Sequence, residues 1–219
     1  TITEEEIALW YVWIPRYKYQ LFNVNNESVA EQLINIEFES GTDSTGTVSC
    51  TDIDFTTNPT NATSETCTNA SNGAWYTHPA FTFGSEELTG FWVGKFEVSG
   101  TTSKITIKPG VQSLRNTNVS GFFTAIQNIK NNYGIISGDS HMIKNMEWGA
   151  VAYLSHSKYG TCTGGECHEI GINNNSSYIT GCGAEAGSSS STACNNYVTE
   201  LGQGASTSGN IYGVYDMSG

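Results

Sequence analysis

The stretch that decides the fold is YVWIPRYKYQLF, residues 11–22. From Tyr17 onward, aromatic or aliphatic residues alternate with polar ones at a period of two, which is typical of a half-buried strand. The pattern predicts Tyr17 and Tyr19 on the buried face and Arg16 and Lys18 on the polar face. The proline inside the run favours an edge position, because proline cannot donate to a sheet ladder.

Further short strands are predicted on both sides of a polar stretch. The alternating run at 33–38 and the apolar positions of 81–83, 91–98 and 105–107 have the same β character. The segment from Thr3 has the Ser/Thr-x-x-Glu pattern of a capping box and predicts one helical turn. Together these patterns predict the core of a sheet.

Two helices are predicted in the second half of the chain. The first begins at Ser120, continues with apolar residues at a spacing of three to four, and stops at Gly134. The second begins near Asn145, carries Glu147 in its first turn, and stops at Gly160. Strands and helices together predict an α+β fold in which a twisted, mainly antiparallel sheet packs against two helices.

Composition excludes some classes of partner. The 219 residues carry a formal net charge of -12 with only 9 Lys plus Arg, whereas nucleic-acid binding depends on cations that neutralise phosphates. An anionic membrane surface would repel the chain, and its apolar runs are shorter than the roughly 18 residues of a spanning helix. We therefore expect no nucleic-acid partner and no membrane insertion within this chain.

Six cysteines predict a disulfide framework and an extracellular compartment. They lie in polar, glycine-rich loops as three sequence-local pairs, so closure between nearest neighbours is the expected connectivity, with other connectivities left open. The expected pairs are Cys50 with Cys67, Cys162 with Cys167, and Cys182 with Cys194. A metal site is the alternative, because thiolates and imidazoles are the ligands that zinc prefers. It would use Cys162, Cys167 and His168, with Cys182 or Cys194 as the fourth ligand.

Aromatic residues are the candidates for ligand binding. Trp75 and Tyr76 lie between a loop and a strand, where exposed rings can stack on a ligand such as a sugar, although packing in the core is the alternative for both. The rings of Trp10, Trp13 and Trp92 could also stack on a sugar. Core packing is the prediction for Trp13, Trp92 and Trp148, because they lie in patterned strands or a helix.

Metal and catalytic chemistry have weaker support. Asp43, Asp52 and Asp54 supply carboxylates that a structural calcium ion would accept, with solvated loop acids as the alternative. No cofactor is otherwise expected. The histidines are scattered without a catalytic motif and are interpreted as loop or cap residues; they are His78, His141, His156 and His168.

Several segments resemble the family that contains formylglycine-generating enzymes and the wider C-type-lectin-like fold. They are YVWIP from Tyr11, FTFGSEELTGFWVGKFEVSG from Phe81, NMEWGAVAYL from Asn145 and GNIYGVYDMSG from Gly209. A closer resemblance, over 147–160 and 204–219, is to large surface proteins of Gram-positive gut bacteria, some with a pilin-like N-terminal helix. The resemblance implies a C-type-lectin-like fold.

The resemblance also implies a domain organisation. Residues 1–219 would form a single C-type-lectin-like domain, incomplete at both ends and ending at the YDM-x-G hallmark, with insertion loops at about 40–74 and 160–205. In the family, the variable binding face is built mostly from residues after that hallmark.

The function implied is non-catalytic. We expect a ligand-binding or adhesion domain on a bacterial surface, with an unknown protein or carbohydrate ligand on a host or neighbouring cell and with assembly into a filament or oligomer left open. One alternative is a phage receptor-binding or tail protein with the same fold. Another is a formylglycine-generating type of oxidase, whose copper-binding cysteines would lie beyond Gly219.

Overall fold

The computed structural model describes residues 1–20, 33–46, 75–173, 178–183 and 194–218. It contains small antiparallel sheets, few helices and two disulfides, which confirms a mixed α and β fold. Two compact units divide the chain. Unit 1 comprises Thr1–Val12, Trp92–Lys144 and Glu169–Gly219, and unit 2 comprises Trp13–Phe91 and Asn145–His168. The single domain over 1–219 stays a prediction.

The strands are short. In chain order they are β1 (Tyr11–Pro15), β2 (Tyr17–Gln20), β3 (Asn35–Phe38), β4 (Tyr76–Thr77), β5 (Thr82–Phe83), β6 (Glu86–Glu87), β7 (Gly90–Gly94), β8 (Val98–Thr101), β9 (Lys104–Ile107), β10 (Cys162–Thr163), β11 (Glu166–Cys167), β12 (Cys182–Gly183) and β13 (Asn195–Asn196). The α-helices are α1 (Val119–Gln127), α2 (Ile129–Asn132), α3 (Asn145–Ser155) and α4 (Glu200–Gln203). Turns of 3-10 helix cover Glu4–Glu6 and Pro79–Phe81.

The deciding stretch forms two strands that meet at Arg16. β1, which contains the proline, lies in a two-stranded sheet with β7, whereas β2 is the central strand of the order β3-β2-β4 in unit 2. Tyr17 and Tyr19 are buried, as the alternation predicts. The prediction of an edge strand is therefore correct for β1, which contains Pro15, and wrong for β2, which is a central strand. The polar face predicted for Arg16 is also wrong, because this side chain is fully buried.

Unit 2 has an aromatic core between its three-stranded sheet and α3. The rings of Tyr17, His78 and Phe81 lie 5.2 to 6.1 Å apart. The hydroxyl of Tyr17 donates a 2.7 Å hydrogen bond to the carbonyl of Ala150 in α3. This bond satisfies a polar atom that would otherwise be buried without a partner, and it fixes the helix against the sheet.

Unit 1 is built on the hairpin of β8 and β9. The predicted strand 91–98 is interrupted at Lys95 and Phe96, so β7 and β8 are separate strands. The buried core cluster is Phe96, Ile105, Ile107, Ala125, Ile129, Ala205 and Tyr215. Both helices that follow the hairpin contribute to this core.

The helix predictions hold with shifted boundaries. α1 is capped by Asn118 and not by Ser120: the Asn118 side chain accepts a 2.7 Å bond from the backbone N–H of Gly121. The predicted helix is divided into α1 and α2, and it ends before Gly134, which has φ +70°. α3 begins at Asn145 as predicted and ends at Ser155. No helix among the described residues is long and apolar enough to cross a membrane.

The start of the chain follows its capping-box pattern. The Glu6 carboxylate accepts a 2.8 Å bond from the backbone N–H of Thr3 and a 3.0 Å bond from its hydroxyl. These bonds lower the pKa of Glu6, because they favour its ionised form.

Candidate functional site

Lys95 lies in an aromatic cage in unit 1, at the break between β7 and β8. Its Nζ atom is 5.8 to 5.9 Å from four ring centres, those of Trp10, Phe96, Tyr197 and Tyr215. The same ammonium group donates a hydrogen bond to the carbonyl of Ile211. Burial lowers the pKa of Lys95, and the charge of Glu4 opposes that shift. The ammonium group is therefore engaged by rings and backbone as a structural cation.

The segment that resembles the family hallmark is anchored beside this cage. The backbone N–H of Tyr215 donates a 2.8 Å bond to the carbonyl of Lys95, and its hydroxyl donates a 2.9 Å bond to the carbonyl of Tyr197. The next residue, Asp216, has φ +62° and accepts a 2.9 Å bond from the N–H of Gly181. The hallmark segment is thus held at three points.

Asp216 is a largely buried acid. Burial raises its pKa to about 6, partly offset by the bond from Gly181, and the nearby charge of Glu97 adds to the rise. Its second carboxylate oxygen, Oδ1, has no hydrogen-bond partner among the described residues. At neutral pH the chain therefore holds an ionised carboxylate in surroundings that favour the protonated form.

Replacing Asp216 by Asn should stabilise the protein at pH 7 by on the order of 2 kcal/mol, because it removes the buried charge and keeps an acceptor for Gly181. Because the pKa of Asp216 is higher in the folded state, this residue stabilises the fold below about pH 4. That contribution to the free energy of unfolding is lost as the pH rises through about 6. The gain of Asp216→Asn should therefore disappear at pH 4. Urea unfolding of both chains at pH 7 and pH 4 measures the gain in the free energy of unfolding. An equal gain at the two pH values would contradict the prediction.

Unit 2 holds a buried ionic cluster around Arg16. Its Nε atom lies 3.0 Å from Glu39 and its Nη2 atom 2.7 Å from Glu87. Nη2 also donates to the hydroxyl of Ser44 at 2.7 Å, and Nη1 donates to the carbonyl of Leu88 at 3.1 Å. The guanidinium group thus joins three segments of the chain, and its many fixed donors suit that role.

Glu39, the fully buried glutamate of this cluster, also has several hydrogen-bond partners. Both side chains of the Arg16–Glu39 pair have no exposed surface. Glu39 Oε1 accepts bonds from the backbone N–H of Thr45 at 2.6 Å and from the hydroxyl of Thr77 at 2.9 Å. The cluster fixes the ends of β2, β3 and β4 and leaves no free group for chemistry on Arg16.

Several large aromatic residues are exposed where the sequence predicts core. The exposed fraction is 38% for Trp13, 63% for Trp92 and 44% for Trp148, so the core prediction for these three is wrong. Trp92 lies in the middle of β7, and the alternation of that strand buries its neighbour Val93 and turns Trp92 outward. The pattern of β7 was correct for a strand, but apolar character did not identify the buried face.

The two predicted ligand-binding residues have different environments in unit 2. Tyr76 is only 3% exposed and packs against Tyr19, with ring centres 5.8 Å apart. It is a core residue in this structure. Trp75 is half-buried, and the Nζ atom of Lys18 lies 5.4 Å from its ring centre. Trp75 retains a surface that a ligand can reach.

Two of the three predicted cysteine pairs are present as disulfides. Cys162 is bonded to Cys167 and Cys182 to Cys194, which confirms the nearest-neighbour closure for these four residues. Cys50 and Cys67 lie outside the described residues. The two disulfides indicate an oxidising, non-cytoplasmic compartment.

The alternative metal site is not formed as the sequence suggested, because the sulfurs of Cys162 and Cys167 are bonded to each other. The imidazole grouped with them is that of His156, not His168. Of the calcium candidates, Asp43 is exposed, whereas Asp52 and Asp54 lie outside the described residues.

His78 is a cap residue, as the sequence predicts for its histidines. Its Nδ1 atom accepts a 3.2 Å bond from the backbone N–H of Ala80 at the start of the 3-10 turn. Burial lowers its pKa to about 3, so it is neutral at physiological pH.

Comparison with known proteins adds no family assignment: no protein-family model and no curated protein matches this chain. The functional interpretation therefore depends on the residues themselves.

Sequence reasoning missed the two buried cations. Arg16 and Lys95 both interrupt apolar strand patterns, each at a point where the strand breaks. A cation inside a run of β-formers is the signal that could have identified them, because burial of a charge requires specific partners. Most of the partners lie far away in sequence, although Phe96 directly follows Lys95.

Proposed function

We propose that this chain is a non-catalytic ligand-binding or adhesion domain of C-type-lectin-like fold, displayed on a bacterial surface, in line with its resemblance to large surface proteins of Gram-positive gut bacteria, some of which have a pilin-like N-terminal helix. The observation that carries the proposal is the 63% exposure of Trp92 in the middle of β7. A large exposed ring on a rigid element provides contact area at low entropic cost, which is the property of binding anchors.

The surroundings of the buried cations and of the described cysteines support binding more than catalysis. Arg16 and Lys95, the buried cations, are engaged in ion pairs, rings and backbone carbonyls. The four described cysteines are in disulfides and present no thiolate. These groups stabilise a scaffold, and the exposed aromatic residues provide its contact surface.

A carbohydrate or protein on another cell is the proposed class of ligand. Aromatic rings stack on the apolar faces of sugars and also anchor protein interfaces, and the net charge of -12 disfavours polyanionic ligands. Trp92 in unit 1 and Trp75 in unit 2 are the candidate contact residues, each tested separately.

The test is binding of the purified, disulfide-intact chain to a glycan array and to mammalian epithelial cells. We expect Trp92→Ala or Trp75→Ala to weaken binding about tenfold or more, the effect of losing an aromatic anchor. Ile136→Ala is the matched control, because Ile136 is 86% exposed and apolar but carries no ring. Binding that is absent from both probes, or unchanged in both tryptophan variants, would reject the proposal.

A further inference from the structure

Three side chains of unit 2 whose donor atoms could bind a metal lie close together. An imidazole nitrogen of His156 and the sulfurs of Cys162 and Cys167 are all within 4.8 Å of one another. The two cysteines are only 6% and 7% exposed, and His156 is half-buried. This is a nitrogen and two sulfurs in a shielded position, a donor set typical of zinc sites.

The local sequence forces the two sulfurs together. β10 and β11 form a hairpin in which Cys162 is directly opposite Cys167, with Cα atoms 3.8 Å apart. Gly164 and Gly165 form its turn with φ +67° and +94°, a conformation that other residues rarely adopt. The hairpin therefore keeps the two cysteines facing each other whether or not their sulfurs are bonded.

The histidine is fixed independently of the disulfide. His156 directly follows α3, and its backbone carbonyl accepts a 2.8 Å bond from the N–H of Ile34. The hairpin is tied to the same helix end, because the N–H of Thr161 donates a 2.8 Å bond to the carbonyl of Ser155. Backbone bonds thus place the imidazole beside the cysteines.

We propose that His156, Cys162 and Cys167 bind Zn²⁺ after the disulfide is reduced. The reductant is a dithiol: it transfers two electrons and two protons to the Cys162–Cys167 bond and leaves as its own disulfide. Each cysteine thiol then loses one proton to solvent on binding the metal, and His156 binds as the neutral imidazole. The site is a second state of the stapled hairpin, and it does not depend on the ligand-binding proposal.

The geometry fits the ion with a small adjustment. Zinc–sulfur bonds of about 2.3 Å in a tetrahedron place two sulfurs roughly 3.8 Å apart, so breaking the disulfide must let them separate by about 2 Å. We expect rotation of the two cysteine side chains to provide this separation. Three protein ligands leave a fourth position for water or an exogenous ligand, as in zinc sites with an open coordination position.

The experiment is Zn²⁺ titration of the full chain in competition with a chromophoric chelator, before reduction and after anaerobic treatment with dithiothreitol and its removal. His156→Asn should weaken binding by the reduced chain about tenfold or more, the loss that even supporting residues of metal sites can produce. His168→Asn is the matched control, with the same substitution and the same six cysteines, and should leave the affinity within about twofold of the parent chain. The oxidised chain should bind no zinc with this affinity.

A second measurement identifies the thiols. Bound Zn²⁺ should protect Cys162 and Cys167 from alkylation, as read by peptide mass spectrometry, and should leave Cys182 and Cys194 reactive. Equal zinc affinity of the reduced parent and His156→Asn chains would overturn the proposal. Near-UV circular dichroism reports whether the reduced chain keeps its tertiary structure, and equal affinity would overturn the proposal even if that structure is lost. Protection of Cys182 and Cys194 instead would also overturn it.

Discussion

Replacing Arg16 by Met should lower the free energy of unfolding by about 3–5 kcal/mol. The substitution keeps the side-chain volume roughly constant but leaves the carboxyl group of Glu39, which has no exposed side-chain surface, without its cation. It also removes the donors to Ser44 and to the carbonyl of Leu88. Urea unfolding followed by near-UV circular dichroism measures the loss.

The matched control is Lys18→Met in the same sheet. Lys18 pairs with Glu37 at 3.2 Å, but that glutamate is 56% exposed, so the pair should contribute no more than about 1 kcal/mol. Adding Glu39→Gln to Arg16→Met should recover part of the loss, because it removes the unpaired charge. A cost below about 1 kcal/mol for Arg16→Met would show that the cluster does not stabilise unit 2.

Replacing Gly160 by Ala should cost about 3 kcal/mol, the upper end for overpacking. A Cβ atom at Gly160 would lie 1.9 Å from the carbonyl oxygen of Ser155 and 2.5 Å from its Cα. Both atoms belong to the backbone at the end of α3, so they can move only with the helix end. The same carbonyl accepts the bond from Thr161 that positions the cysteine hairpin.

Gly149→Ala is the matched control, since it makes the same substitution inside α3, whereas Gly160 lies in the turn that follows this helix. A Cβ atom at Gly149 meets no atom within 4 Å, and alanine favours helix over glycine, so we expect a gain of about 0.5–1 kcal/mol. Thermal unfolding of both variants gives the comparison. If the two substitutions have the same sign, the close approach at Gly160 is not a constraint.

Local patterns predicted much of the fold, because they depend on neighbours in sequence. The alternation at Tyr17 and Tyr19, the capping box at Thr3 and the start of α3 at Asn145 are all present in the structure. The pairing of Cys162 with Cys167 follows the same logic, since their sequence separation is only 5.

Predictions of burial failed where apolar character was taken to mean core. The Trp92 side chain is large and mostly apolar, as is typical of core residues, yet the alternation of β7 turns it outward. The Arg16 side chain is charged, as is typical of surface residues, yet it is fully buried. Which face of a strand is covered depends on elements distant in sequence, so the candidate contact residue Trp92 could not be selected before the structure.

The sequence by itself determined the secondary structure of β2 and α3 and the net negative charge, and it favoured the two observed disulfide pairs. Periodicity and short spacing depend on neighbouring residues, and net charge depends on composition alone. Only the tertiary structure decided that Arg16 and Lys95 are internal cations and that His156, rather than His168, lies beside Cys162 and Cys167. The physical reason for the cations is that a buried charge requires partners that the fold brings together from distant parts of the chain. For the cysteines, both histidines are near in sequence, and spacing alone does not show which imidazole lies beside the sulfurs.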